Sequence, residues 1–255
     1  MKFASLGSGS KGNATLVEQE NTLLLIDNGF SLKETCKRLA LLEKQPEEIT
    51  AILVTHEHGD HVSGVGRLAK KYNIPVWMTE GTRKAAEKAL SDPPSIKRFN
   101  NHEKFSVDAI QIQPVTVPHD AREPSQFIFS NGQHRLGLLT DTGSITPHII
   151  SMYDQCDALI LESNHDDQML ADSVYPQHLK QRISSRLGHL GNHQSADLLT
   201  KLDTRRLKHI IAAHLSEQNN CITKVRNALA TALGCEENWI EIADQENGFG
   251  WRECL

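Results

Sequence analysis

The stretch Thr55-His56-Glu57-His58-Gly59-Asp60-His61 decides how the rest of the chain reads. Four potential metal ligands, His56, His58, Asp60 and His61, sit within six residues, directly after the apolar run Ala51-Ile52-Leu53-Val54. A strand therefore delivers the cluster, and a helix beginning near Val62 and running to about Tyr72 carries the chain away. Three imidazoles and a carboxylate crowded into one turn repel on protonation and are costly to bury unpaired. A divalent cation removes both problems, because neutral imidazole and carboxylate are its natural ligands. A solvated polar loop is the plain alternative, but it leaves unexplained the single ligands that follow later at strand ends.

Those ligands appear in order along the chain. The buried strand Thr22–Ile26 ends in Asp27, which is placed to orient the histidine loop by hydrogen bonds. The segment Phe105 to Val117 reads as strand kinked at Pro114 and is followed by His119. A hairpin around Asn131-Gly132 leads into Leu136–Thr140 and Asp141. The strand Asp157–Leu161 ends in Glu162, and Lys208–Ala213 ends in His214. Strand ends on one edge of a sheet sandwich converge on a cleft, so these residues form one constellation. Helices are expected over Ser31 to Leu42 behind a Ser31/Glu34 capping box, and over Thr79–Leu90, Pro176–Leu187, Ser195–Leu202 and Cys221–Leu233. Repeated strand–helix units imply parallel strands with helices packed outside. The glycine-rich segment Gly7 to Asn13 lacks the spacing of a Walker loop. It reads either as a hairpin turn or as a phosphate-approaching loop at the site mouth.

Composition narrows the class. The chain has 255 residues, 38% hydrophobic and 23% charged, with a net charge of −5. No global positive field draws it to nucleic acid or anionic lipid, so polyanion binding needs a local patch. Lys180, Arg182 and Arg186 on one predicted helix, and Lys201, Arg205, Arg206 and Lys208, are two such clusters or ordinary solvated faces. The five cysteines are scattered without a C-x-x-C pair, which suits a reducing compartment. No apolar run approaches the roughly 18 residues of a membrane span, and no signal-peptide core is present. The expectation is a cytoplasmic protein without membrane contact, forming a single domain over 1–255.

With these residues in hand, the chain resembles the metallo-β-lactamase superfamily over nearly its whole length: Asp27; His56, His58, Asp60 and His61; His119; Asp141; His214. The resemblance implies an α+β fold, a four-layer αββα sandwich, with two divalent metal ions at one edge. His56, His58 and His119 would hold one metal, and Asp60, His61 and His214 the other, with Asp141 bridging. Zinc or manganese suits such a ligand set, and iron is admitted. Within the superfamily the chain is similar to the YycJ/WalJ-like, PhnP-related hydrolases. That likeness rests on Gly7-Ser8-Gly9-Ser10-x-Gly12-Asn13, Glu162-Ser163-Asn164-His165-Asp166, Tyr175-Pro176, Gly188-His189-Leu190 and His214-Leu215-Ser216-x-x-Asn219-Asn220. Gly191 departs from the serine expected there. The interval from Asp141 to His214 is too short for the extra domain of RNA-cleaving β-CASP relatives.

The implied chemistry is phosphodiester hydrolysis on DNA, exonucleolytic from 5′ to 3′. Two cations about 3.5–4 Å apart share a bridging hydroxide and stabilise charge on the attacked centre. Asp60 would orient that hydroxide. His189, His165 or Glu162 would protonate the leaving group or relay its proton. Ser10, Asn13, His165 and Asn219 are candidate substrate-binding residues. Two alternatives are a small-molecule hydrolase, acting on cyclic or nucleotide phosphodiesters or thiolesters, and a non-catalytic DNA-associated module with structural metals. Structural sites close their coordination sphere, whereas this ligand set is built around a solvent position.

Overall fold

Thr22–Ile26 is buried along its whole length, which requires both faces of its sheet to be covered. The computed structural model, describing residues 1–90 and 95–254, shows what covers them. Its strands are β1 (Lys2–Gly7), β2 (Ala14–Gln19), β3 (Thr22–Ile26), β4 (Ala51–Leu53), β5 (Val76–Met78), β6 (Ile96–Arg98) and β7 (Phe105–Val107). They continue with β8 (Ile110–Thr116), β9 (Ser125–Ser130), β10 (Arg135–Leu139), β11 (Ala158–Glu162), β12 (His209–Ala213), β13 (Ile240–Ile242) and β14 (Phe249–Glu253). Two seven-stranded sheets result, in the orders β14-β1-β2-β3-β4-β5-β6 and β13-β12-β11-β10-β9-β8-β7.

The two-residue period of each strand sorts its side chains between layers. Leu24, Ile26, Ala51 and Leu53 of the first sheet meet Phe127, Phe129, Ile160 and Ile211 of the second in the core between the sheets. The alternate residues Leu23, Leu25, Ile52 and Val54 face helices on the outside. Those helices are α1 (Leu32–Leu41), α2 (Gly59–Val62), α3 (Val65–Tyr72), α4 (Glu80–Ala85) and α5 (Glu87–Leu90). The second half carries α6 (Pro147–Tyr153), α7 (Asp167–Asp172), α8 (Gln177–Ile183), α9 (Asn192–Lys201) and α10 (Ile222–Leu233). Tyr153, Leu198 and Leu229 from α6, α9 and α10 pack on Leu159, Leu161 and Ile210. This is the expected four-layer αββα sandwich. No described helix is long and apolar enough to cross a membrane.

Four local expectations change. Residues 105–117 form a hairpin rather than one kinked strand, because Asp108 turns the chain at φ 44° and Val107 pairs with Ile110. The helix expected over Thr79–Leu90 is interrupted at Ala86. The helix expected to reach Leu187 stops at Ile183, where Gly188 folds back so tightly that a Cβ would lie 2.2 Å from the carbonyl oxygens of Arg182 and Ile183. The C-terminal strands β13 and β14 went unanticipated: Phe249-Gly250-Trp251-Arg252-Glu253 has no apolar run, and it closes an edge beside β1. The neighbours β3 to β6 run parallel, as do β10 to β13. Their carboxyl ends therefore open on common edges, where loop residues gather.

Candidate metal centre

Three strand-end residues, Asp27, Asp141 and His214, have φ of 58°, 51° and 57°. For residues other than glycine the left-handed region costs on the order of 1 kcal/mol each, although Asp and His tolerate it better than most. Three such residues in one site represent a sizeable part of a typical folding stability of roughly 5–15 kcal/mol. Two of them are held by hydrogen bonds: the Asp27 amide donates to the Leu53 carbonyl and its carboxylate accepts from Thr55, and the His214 amide donates to Ser8 Oγ. The sharp turn they make swings each side chain from the strand end towards the space between the sheets.

Seven side chains meet there. His56 Nε2 lies 3.0 Å from His58 Nδ1, which lies 3.3 Å from His119 Nε2. Beside them, His61 Nε2 is 3.4 Å from Asp60 Oδ2 and 3.3 Å from Asp141 Oδ2. His214 completes this second group, with Nε2 3.7 Å from Asp60 Oδ2 and Nδ1 3.2 Å from Asp141 Oδ1. The structure thus brings together both expected ligand groups, His56/His58/His119 and Asp60/His61/His214, with Asp141 beside His56 and His61. The donor set fits divalent cations on two observations. Three imidazole nitrogens converge within hydrogen-bonding distance with too few acceptors of other kinds between them. Asp141 Oδ2 is buried and makes no hydrogen bond, the arrangement a buried carboxylate adopts around a metal rather than alone.

The nitrogens facing away from this centre are fixed. Asp27 accepts from the Thr55 amide at 2.8 Å and the Thr55 hydroxyl at 2.7 Å. That hydroxyl has spent its proton, so at 2.9 Å it accepts from His56 Nδ1 and leaves the Nε2 lone pair facing His58. Asp27 Oδ2 also holds His61 Nδ1 at 2.8 Å. His119 Nδ1 donates to the Gly188 carbonyl at 3.1 Å, and His214 Nδ1 meets Glu162 Oε1 at 2.9 Å. Backing acceptors of this kind orient metal-binding imidazoles. Asp27 lies behind the histidine loop, in contact with Thr55 and His61.

The glycine-rich loop braces the same side chains. Asn13 Nδ2 donates to Asp60 Oδ2 at 3.2 Å, and the Asn13 amide donates to the Asp60 carbonyl at 2.8 Å. Ser8 Oγ accepts from the His214 amide at 2.9 Å. Gly29 packs so closely under the loop that a Cβ there would sit 1.9 Å from the Asp60 carbonyl oxygen. Glu162 is fully buried and saturated with donors: His189 and His214 on Oε1, and the Thr142 and Leu190 amides on Oε2. Of the three candidate proton donors, His189 alone lines the cleft, which has a volume of about 390 Å³.

The remaining candidates separate. Ser10 is exposed and lines the cleft. Asn13 is buried against Asp60. His165 and Asn219 are buried outside the lining, although their neighbours Asn164 and Ser216 belong to it. Sequence reasoning missed Thr55, Ser8 and the pairing of Asp120 with Arg182. Thr55, directly before the first histidine at a strand exit, was the one with a visible signal.

Electrostatics reflect the crowding. Burial opposes ionisation of Asp60, but hydrogen bonds from His214 and His61 hold its carboxyl well below the ordinary value. Burial works against a charged His214, yet Asp141, Asp60 and Glu162 push it up to about 10. Glu162 is likewise lowered by His189 and His214 against its burial. His56 moves the other way, lowered by burial and by His61.

Residues 22–210 match the family described as the β-lactamase superfamily domain. The chain is 35% identical to exodeoxyribonuclease YycJ of Bacillus anthracis, over 100% of this chain and 93% of that protein. It is 37% identical to exodeoxyribonuclease WalJ of Streptococcus pneumoniae, over 86% of this chain and 83% of that protein. Among solved structures, zinc-bound PqqB of Methylobacterium extorquens superposes with a TM-score of 0.76 at 16% identity, covering 99% of this chain and 100% of that one.

Removing the Asp27 acceptor, as in Asp27→Ala, is expected to weaken Mn(II) binding by about 10- to 100-fold. Titration calorimetry would read the change, with the far-UV circular dichroism unchanged. Cation binding should also expel protons. His214 is raised to about 10 and so carries a proton at neutral pH, whereas Asp60 is already ionised there and releases none. Affinity should therefore rise with pH across the neutral range. Calorimetry in buffers of differing ionisation enthalpy counts the protons, and a count of zero with pH-independent affinity would overturn the reading of His214.

Proposed function

The chain belongs to the metallo-β-lactamase superfamily, and from that premise we propose that it is a two-metal phosphodiesterase that digests DNA from 5′ ends. The observation that carries the proposal is the joint presence of Asp60 and Asp141 between two histidine groups, which supplies ligands for two cations. The match to proteins named exodeoxyribonucleases, over 86% to 100% of this chain, supports DNA as the substrate. His56, His58 and His119 would hold one ion, and Asp60, His61 and His214 the other, with Asp141 shared. Zinc or manganese, with iron as a third candidate, would supply Lewis-acid activation of water and neutralisation of phosphate charge.

The chain's own groups do the rest. Asn13 and the Asn13 amide fix Asp60 at the cleft floor, where it can orient the attacking water. His189 is partly open to the cleft and its Nδ1–H is held by Glu162 at 2.8 Å, so in the imidazolium form Nε2–H is the bond free to give a proton to the departing oxygen, which leaves the neutral Nδ1–H tautomer. Glu162, enclosed and saturated, acts through the two imidazoles it orients. A small-molecule phosphodiesterase is the second reading, favoured by a cleft with a single Lys or Arg among its described lining residues.

Digestion of 5′-labelled duplex DNA with Mn(II), beside Asp60→Ala and EDTA controls, tests the proposal. Short 5′ products from the wild type alone are expected. Intact DNA together with turnover of bis(p-nitrophenyl) phosphate would favour the second reading. His189→Ala should slow DNA hydrolysis by about 10²- to 10⁴-fold, the usual contribution of a general acid. It should spare bis(p-nitrophenyl) phosphate, whose leaving group departs without a proton. Equal losses on both substrates would remove His189 from that role.

A further inference from the structure

Arg182 belongs to neither ligand group, yet it faces the cleft. It sits on α8, a helix none of whose residues is buried. Leu179, Arg182 and Ile183 form a wall of the cleft that also contains His58, Asp60 and Asp141. Among the described lining residues, Arg182 is the only lysine or arginine. Its one side-chain hydrogen bond among the described residues runs from Nε to Asp120 Oδ2, at 2.7 Å. The pair is open to solvent, with side-chain exposures of 57% for Arg182 and 29% for Asp120, so it contributes little to stability and exchanges readily.

The contact uses one arm of a group built for two. A guanidinium binds two oxygens of one anion through parallel N–H bonds, and a phosphodiester offers two such non-bridging oxygens. Asp120 is meanwhile anchored through its backbone: its amide donates to the Leu187 carbonyl at 3.0 Å, while its Oδ1 lies 3.5 Å from His119 Nε2 and 3.7 Å from His58 Nε2. Asp120 can therefore release Arg182 and keep its place. The chain beyond α8 is tied to the site by the His189 amide on the Ile183 carbonyl, at 2.9 Å. That bond fixes the C-terminal end of the helix.

We propose that Arg182 is the phosphodiester-binding residue of the cleft, exchanging Asp120 for the non-bridging oxygens of a substrate phosphate. The proposal rests on the phosphodiesterase reading but not on DNA as the polymer. It makes Arg182 a determinant of KM, and α8 the element that adjusts when substrate enters.

The test compares Arg182→Gln, Arg182→Lys and Arg182→Ala with Arg98→Gln, a control at a solvent-exposed arginine outside the cleft lining and outside both basic clusters. Kinetics are measured on 5′-labelled single-stranded DNA and on bis(p-nitrophenyl) phosphate, and Mn(II) affinity by calorimetry. Loss of a charged hydrogen-bonding fork should raise KM about 10- to 100-fold in Arg182→Gln on either phosphodiester, with kcat and Mn(II) affinity little changed. Arg182→Lys should fall between, and added guanidinium should restore Arg182→Ala, which a merely structural role would not allow. Arg98→Gln should match the wild type. An unchanged KM in Arg182→Gln, or a loss of Mn(II) binding together with kcat, overturns the proposal. Wild-type protein that leaves DNA intact but hydrolyses bis(p-nitrophenyl) phosphate sinks the DNA reading alone, and Arg182 is then judged on the small substrate. Turnover of neither phosphodiester removes both.

Discussion

One buried carboxylate joins the parts of this site. Asp27 binds the Thr55 amide, the Thr55 hydroxyl and His61 Nδ1 at once, tying the end of β3 to the loop that leaves β4. Burial raises its pKa, while His61 and Thr55 pull the other way. An unpaired carboxylate in that position would be costly. The cost is offset only if the histidine loop adopts the one conformation that brings its donors to Asp27. The carboxylate therefore selects the loop geometry, and through Thr55 it also selects which nitrogen of His56 carries a proton. The orientation of two imidazoles follows from a residue that faces neither cleft nor solvent.

The wider architecture applies the same logic on a larger scale. Asp27 and the histidine loop come from the first sheet, and His119, Asp141, Glu162 and His214 from the second. The centre forms where the two sheets meet at the carboxyl ends of their strands. The inner core of Phe127, Phe129, Leu24 and Ile26 sets the spacing between the sheets, and so sets the distances between ligands of different origin. Interiors pack densely and resist compression, which makes the ligand separations a property of the sandwich rather than of the loops. Local hydrogen bonds then choose side-chain directions within that frame.

Much of this was legible in sequence because the informative residues obey local rules. An apolar run followed by an acid or histidine is recognisable one strand at a time, and a strand that is apolar throughout implies a sheet with both faces covered. Other features depended on distant partners. The edge strand Phe249–Glu253 carries glycine and charge and declares itself only beside β1. His165 and Asn219 sit in a motif that suggests the cleft, yet backbone direction sends Asn164 and Ser216 there instead. The ion pair of Asp120 with Arg182 joins residues 62 positions apart, and no periodicity predicts such a pair. Thr55 was within reach, since a hydroxyl between a strand and a histidine cluster has few other partners.

The pairing of β14 with β1, and of β13 with β12, gives the chain a marked order of assembly. The first strand finds one of its two neighbours only at Phe249–Glu253, and the Cys254 amide donates to the Met1 carbonyl. During synthesis β1 has an open side until Phe249–Glu253 has emerged, and contacts of such long sequence separation form slowly. His214 also arrives late, after the histidine loop by more than half the chain. A nascent chain therefore carries His56, His58 and His61 for a long interval without their partners. In that interval the histidine loop has Asp27 to hold it, while the group it forms with Asp60 and His214 is incomplete.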